Sequence, residues 1–393
     1  MAASDPPPGL YISEAQGVGS IAGVTTSVAA FVGFCSQGPV DQAQPVRSWR
    51  EYELLFGGLD GEEMGYAVAS FYENGGGEAW VVRVLGPPSG DGLGLIGDAS
   101  SRTGLHALEG AGAFNLLCLP DARRLTGDAH TAVAAAGAAY CRMRRAFLVL
   151  DLPAGVDTIE AAQGWVTDDA PKLGSENSSY AAAYWPEPLV ADPLDAGRAR
   201  RIAASGTMAA VYACCDRDRG VWQAPAGITR SIAGVLDLAV NLTDAENGLI
   251  NPLGLNALRT FPVYGTVPWG GRTLQGADSL ASDWKYIPVR RLALYIEESL
   301  AAGLAWTVFE PSSERLWTTV RRAADDFLNG LWRQGGLSGA SPKSAYFVKC
   351  DSTTTTMADI EAGRLNLVIG FAPIRPAEFL VIQLQLTVGP IEA

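Results

Sequence analysis

Asp121, in the stretch LLCLPD, and Asp151, in FLVLDLP, are the residues best placed for chemistry. Each follows an apolar run that reads as a strand, and open α/β sheets bind ligands at the carboxyl ends of their strands. Two carboxylates there could support acid–base work on a small molecule; in such a turn an Asp also caps a helix or fixes the bend. Nothing else joins them. The chain has only two histidines, His106 and His130, neither in a zinc-ligand pattern. No GxSxG elbow is present to hold a nucleophile for His130, so both read as surface or helix-starting residues. GVGSIAG (17–23) precedes a strand where a dinucleotide turn would follow one, and NGGGE (74–78) leads into a strand without the Lys-Ser or Lys-Thr of a phosphate loop. Cys35, Cys118, Cys141, Cys214, Cys215 and Cys350 lack any CxxC and read as reduced, mostly buried thiols; the vicinal pair Cys214-Cys215 is poorly disposed to bridge. No catalytic residue, cofactor or metal is therefore assigned. The alternative left open is a small-molecule enzyme using Asp121 and Asp151.

The elements that would position such residues alternate through the chain. VTTSVAAFVG (24–33) is a strand, 48–57 a helix with Ser48 as N-cap, 65–73 a second helix, and 79–86 a strand. After a Pro/Gly/Ser linker over 86–97, the pattern predicts strands at 113–121, 146–153 and 179–186 and helices at 129–145, 158–167 and 197–213. That is an α/β layer with a mainly parallel sheet. A short helix over 229–240 follows, then helices over 286–304 and 312–333, the latter with Leu316, Val320, Ala323, Phe327 and Leu331 on one stripe. Strands are expected at 345–351 and 365–373. Phe379 to Val388 shows the clearest period-two pattern, with Leu380, Ile382, Leu384 and Leu386 on one face. With Leu10, Tyr11 and Ile12, it places an extended strand near each end of the sequence.

Composition limits the partners. The 42 acidic and 29 basic residues leave a formal charge of −13, which disfavours nucleic acid. No signal-peptide pattern and no run of about 18 apolar residues is present, so synthesis in the cytoplasm without a signal peptide and no membrane insertion are expected.

PGLYISE, VTTSVAAFVGFCSQGPV, FYENGGGEAWVVRV, GVWQAPAG, WGGRTL, WKYIPVRRLALYIEESL and GRLNLVIGFAPIRPAEFLVIQLQL, in this order, resemble the signature stretches of contractile tail sheath proteins of myophages, R-type pyocins and extracellular contractile injection systems. The resemblance implies a mixed α/β fold: a sheath core built from N- and C-terminal sequence, one inserted α/β domain, and extended terminal arms. The expected divisions are an arm and joint (1–23), the N-terminal part of the core (24–86), the inserted domain (87–227), the C-terminal sheath domain (228–376) and the C-terminal arm (377–393). It further implies a structural subunit that is not an enzyme. Such a subunit forms a helical homo-oligomer around an inner tube protein, meets baseplate, terminal cap and paralogous sheath proteins, and belongs to a phage tail or a released tail-like particle. The arms, with Leu10, Tyr11, Ile12, Phe379, Leu380, Ile382, Leu384 and Leu386, would add strands to neighbouring subunits, and contraction would be a rigid-body rearrangement driving the tube through a target envelope. Gly17, Gly19, Gly23, Pro373 and Pro376 are candidate hinges. Arg321, Arg322, Asp325, Asp326 and Lys343 are candidate tube-facing residues; the doublets alternatively make a solvated face with i,i+4 pairing.

Overall fold

A computed structural model describes residues 21–86 and 90–378. They divide into a larger unit, Thr25–Tyr295 with the segment from Pro373, and a smaller one, Ile296–Ala372 with the residues up to Val24.

The larger unit runs β1 (Ala29–Phe34), β2 (Gln44–Val46), α1 (Trp49–Phe56), α2 (Glu63–Glu73), β3 (Ala79–Val84), α3 (Leu93–Ile96), β4 (Leu116–Cys118), α4 (Gly127–Arg144), β5 (Phe147–Asp151) and α5 (Ile159–Gly164). It continues with β6 (Ala181–Trp185), β7 (Pro188–Asp192), β8 (Arg198–Arg201), α6 (Ala204–Arg219), β9 (Val235–Leu238), α7 (Asp244–Ile250), β10 (Asn256–Phe261), β11 (Gly265–Trp269) and the start of α8 (Ile287–Gly303). An eight-stranded sheet of order β11-β10-β6-β5-β4-β1-β3-β2 forms its centre. Its six inner strands are parallel, and the edge strands β11 and β2 pair antiparallel.

Both faces of this sheet are covered, which is why its strands read as nearly unbroken apolar runs. Ala30, Val32, Leu117, Leu148 and Leu150 bury against Val133 and Ala134 of α4. Phe31, Leu116, Phe147 and Val149 turn the other way, onto Phe71 of α2 and Met208 of α6. α2 and α6 approach so closely that a Cβ on Gly206 would lie 2.1 Å from the Ala67 carbonyl oxygen.

The segments on either side of the expected 86/87 division share one sheet: β1 lies between β3 and β4, with Ala29 opposite both Ala79 and Leu116. Two expectations need correction. The helix expected over 197–213 starts only at Ala204, because Arg198–Arg201 is β8, paired antiparallel with β7 after a turn with positive φ at Ala196 and Gly197. The helix expected over 229–240 is β9, which completes the three-stranded sheet β8-β7-β9; Gly234, at φ 76°, interrupts any helix there.

The smaller unit contains the end of α8, then α9 (Glu314–Arg333), α10 (Pro342–Ala345), β12 (Tyr346–Lys349), α11 (Met357–Glu361) and β13 (Val368–Phe371). Leu316, Trp317 and Val320 of α9 pack with Cys350 against Trp306, Ile360, Leu365 and Leu367. Among the described residues no helix is long and apolar enough to cross a membrane.

Candidate functional site

Helix α9 is built as its sequence pattern requires. Ser313 Oγ accepts the Leu316 amide at 3.3 Å, Glu314 opens the first turn and Arg333 closes the last, matching the helix dipole. Leu316, Trp317, Val320, Ala323, Ala324, Phe327, Leu328 and Leu331 are buried. The opposite face leaves Arg315, Arg322, Asp325, Asp326 and Arg333 exposed. Arg321 is half-buried and donates to the Cys350 carbonyl at 3.1 Å and to Thr318 Oγ1 at 3.4 Å.

Beside α9, β12 and β13 pair antiparallel from Tyr346 opposite Phe371 to Lys349 opposite Val368. Among the described residues no third strand joins this sheet. Two-stranded sheets are marginal by themselves, and an open edge offers a row of N–H and C=O groups to any extended chain. Phe347 and Val368 are exposed on it. The side chain of Lys343, in α10, is also exposed.

Two anchored segments carry the candidate hinges that the structure describes. Val24 N donates to Ser299 Oγ at 3.1 Å and Ile21 packs where Gly303 leaves space; Gly23, between them, is exposed and outside the positive-φ region. Pro373 and Pro376 lead to Glu378, whose carboxylate meets Arg272 side-on, Nε to Oε1 at 2.7 Å and Nη2 to Oε2 at 2.6 Å. Tyr286 adds a hydroxyl at 3.2 Å. Burial pushes the Glu378 carboxyl up, yet the Arg272 hydrogen bonds and charge outweigh it and hold the group below its usual range. Gly17 and Gly19, and the strand residues Leu10, Tyr11, Ile12, Phe379, Leu380, Ile382, Leu384 and Leu386, lie outside the described residues.

At the carboxyl ends of the parallel strands, Asp121 and Asp151 are both buried. Asp121 Oδ2 accepts the Phe34 amide at 2.6 Å and Asp151 Oδ1 the Ser205 amide at 2.8 Å. The chemical consequence is that burial pushes both carboxyls up to about 7, against the pull of those amides and of Arg124 and Arg123. Between the strand ends the Arg123 guanidinium, itself buried, donates to Glu63 at 2.8 Å and to Glu187, so side chains of the protein occupy the crevice. His130 is not at the surface: it is fully buried on α4, with Nε2 2.9 Å from the Asp151 carbonyl oxygen. His106 lies 3.7 Å from Glu109. All six cysteines are free, and all but Cys214 are buried.

A family model described as the phage tail sheath C-terminal domain matches residues 279–387, which include α8, α9 and the two-stranded sheet. The helical sheath of the anti-feeding prophage in its contracted state is 30% identical, with a TM-score of 0.76 over 97% of this chain and 99% of that one. The sheath complex of the PVC extracellular contractile injection system, also contracted, is 29% identical, with a TM-score of 0.75 over 98% and 99%. The tail sheath protein of Vibrio phage KVP40 is 26% identical over 191 residues, 48% of this chain but 27% of that protein. The chain belongs to the contractile tail sheath family.

Sequence reasoning noticed WGGRTL and PAEF as signatures but missed that Arg272 and Glu378 meet; the available signal was a charged residue set in each of two otherwise apolar or glycine-rich stretches. It also missed Arg123 and Glu63, whose partners are distant in sequence. Arg315 and Arg333 share the exposed face of α9 with the candidate tube-facing residues Arg322, Asp325 and Asp326; their helical phase could have included them.

Proposed function

We propose that this subunit polymerises into a helical sheath around an inner tube, each copy donating its strand segments near 10–12 and 379–386 to the β12–β13 sheet of its neighbours. The observation that carries this reading is a sheet in which, among the described residues, only β12 and β13 pair, in a chain whose sequence pattern predicts two further strands, one of them with a period-two apolar face. Strand addition uses main-chain bonds for attachment and alternating side chains for register. At about 1 kcal/mol net per hydrogen bond, five or six paired residues contribute several kcal/mol per neighbour. Contraction is then a rigid-body rearrangement of packed subunits that drives the tube through a target envelope. The contracted sheaths among the similar structures support the same cycle here.

The face of α9 that carries Arg322, Asp325 and Asp326, with the half-buried Arg321 at its border and Lys343 nearby, is the proposed tube-facing surface. Gly17, Gly19, Gly23, Pro373 and Pro376 are the proposed flexible points. Baseplate and cap proteins, and sister sheath proteins where the particle has them, are the proposed partners at the ends and along the sheath. The subunit is made in the cytoplasm and becomes part of a phage tail or tail-like particle. The deciding experiment is negative-stain electron microscopy of the purified full chain beside one truncated after Pro376. Hollow helical tubes from the first and none from the second are expected; a small uniform oligomer from both would refute the reading.

A further inference from the structure

Arg272 is fixed by the larger unit through bonds that do not involve Glu378. Its amide donates to Asn256 Oδ1 at 2.8 Å, and Asn256 Nδ2 donates back to the Arg272 carbonyl at 2.7 Å and to the Ala183 carbonyl of β6 at 3.1 Å. A Cβ on Gly270 would lie 2.7 Å from Asn256 Oδ1, so the glycine of WGGRTL is what lets this side chain reach across. The Arg272 side chain is 0% exposed, and its Nη1 is taken up by the Gly276 carbonyl at 3.1 Å and Asp278 at 2.9 Å. Of the three N–H groups that remain, the one on Nε and one on Nη2 lie side by side, and both are met by Glu378. This fork geometry recognises one planar carboxylate in one orientation.

The chain that delivers the carboxylate is loosely made by comparison. Residues 374–377 have no regular secondary structure, and Arg375 and Ala377 are exposed. Arg375 makes one exposed ion pair, to Asp283 at 3.2 Å, and Glu378 is held by side chains, Arg272 first, with Tyr286 at 3.2 Å and Lys285 at 3.8 Å.

We propose that the Arg272–Glu378 pair is an anchor that fixes where, and in what direction, the donated strand leaves the subunit. The inference rests on the strand-donation reading above and assigns these two residues a positioning role within it. A strand delivered from a fixed point reaches its neighbour at a high effective concentration, whereas one released at 373 searches a larger volume and pairs in more registers.

The test uses the full chain with Glu378→Gln, which keeps shape and removes charge, and Glu378→Asp, which keeps charge and withdraws the carboxylate. The readouts are the protein concentration at which tubes appear, the rate of thermolysin cleavage beyond residue 373, and the thermal midpoint of the body. Both variants should need at least tenfold more protein to form tubes and be cleaved at least tenfold faster, with the midpoint within a few degrees of the parent. A role confined to stability would lower the midpoint and leave cleavage at temperatures well below it unchanged. Wild-type assembly and cleavage in both variants, while truncation after Pro376 abolishes tubes, would overturn the anchor and leave strand donation standing. Tubes from the truncated chain would instead overturn strand donation itself.

Discussion

Replacing Asp121 and Asp151 together by Asn removes two carboxyls that burial holds near 7. Because these folded-state values exceed the ordinary 3.8, the native protein binds more protons than the unfolded chain between about pH 4 and pH 7. Each group's contribution is fully present below pH 4 and is lost as pH rises through 7. A displacement from 3.8 to about 7 corresponds to on the order of 4 kcal/mol per group at pH 8. An Asn keeps the acceptor for the Phe34 or Ser205 amide and never ionises. It leaves a donor where Asp121 Oδ1 and Asp151 Oδ2 now have no partner, a cost of roughly 1–3 kcal/mol that the protonated acid also bears. Urea unfolding of parent and variant, followed by tryptophan fluorescence at several pH values, reads the difference directly. The two should unfold at similar urea concentrations at pH 4, and the variant should gain several kcal/mol over the parent by pH 8. Taking the difference cancels His130, whose pKa burial lowers and which acts in the opposite sense. A variant equal to or weaker than the parent at pH 8, with the same pH slope, would refute the reasoning.

Gly206→Ala drives a methyl into the Ala67 carbonyl, and overpacking of this kind costs about 1–3 kcal/mol or more; a lower thermal midpoint checks it. Asp216→Ala strands the fully paired Arg291, whose Nη2 and Nη1 lie 2.6 and 2.8 Å from the carboxylate, and losing half of a buried pair costs about 3–5 kcal/mol; denaturant midpoints should show it. Ser313→Ala removes the cap of α9 and should cost about 1 kcal/mol, measured in the same way. Reversing the exposed charges Arg322, Asp325, Asp326 and Lys343 together should leave the melting profile unchanged and abolish co-sedimentation with the tube protein; intact co-sedimentation removes α9 as the tube-facing surface.

Much of this protein was legible in one dimension. The apolar runs of β1, β3, β5 and β6 and the 3.6-residue stripe of α9 follow from hydrophobic burial at a fixed repeat, and Ser48 marks the start of α1 because a cap acts within one turn. The absence of a zinc pattern, a nucleophile elbow or a phosphate loop from the sequence is likewise a matter of local spacing. What the tertiary structure decided depends on residues far apart. β7, β8 and β9 exist because they pair with each other, so Arg198–Arg201 is a strand despite a composition that suits a helix. The 86/87 linker divides the sequence without dividing the sheet, since strand order is set by packing between segments on either side. The depth of His130, the filling of the strand-end crevice by Arg123, and the meeting of Arg272 with Glu378 all rest on burial and charge pairing across long separations, for which a single sequence carries no periodic or local signal.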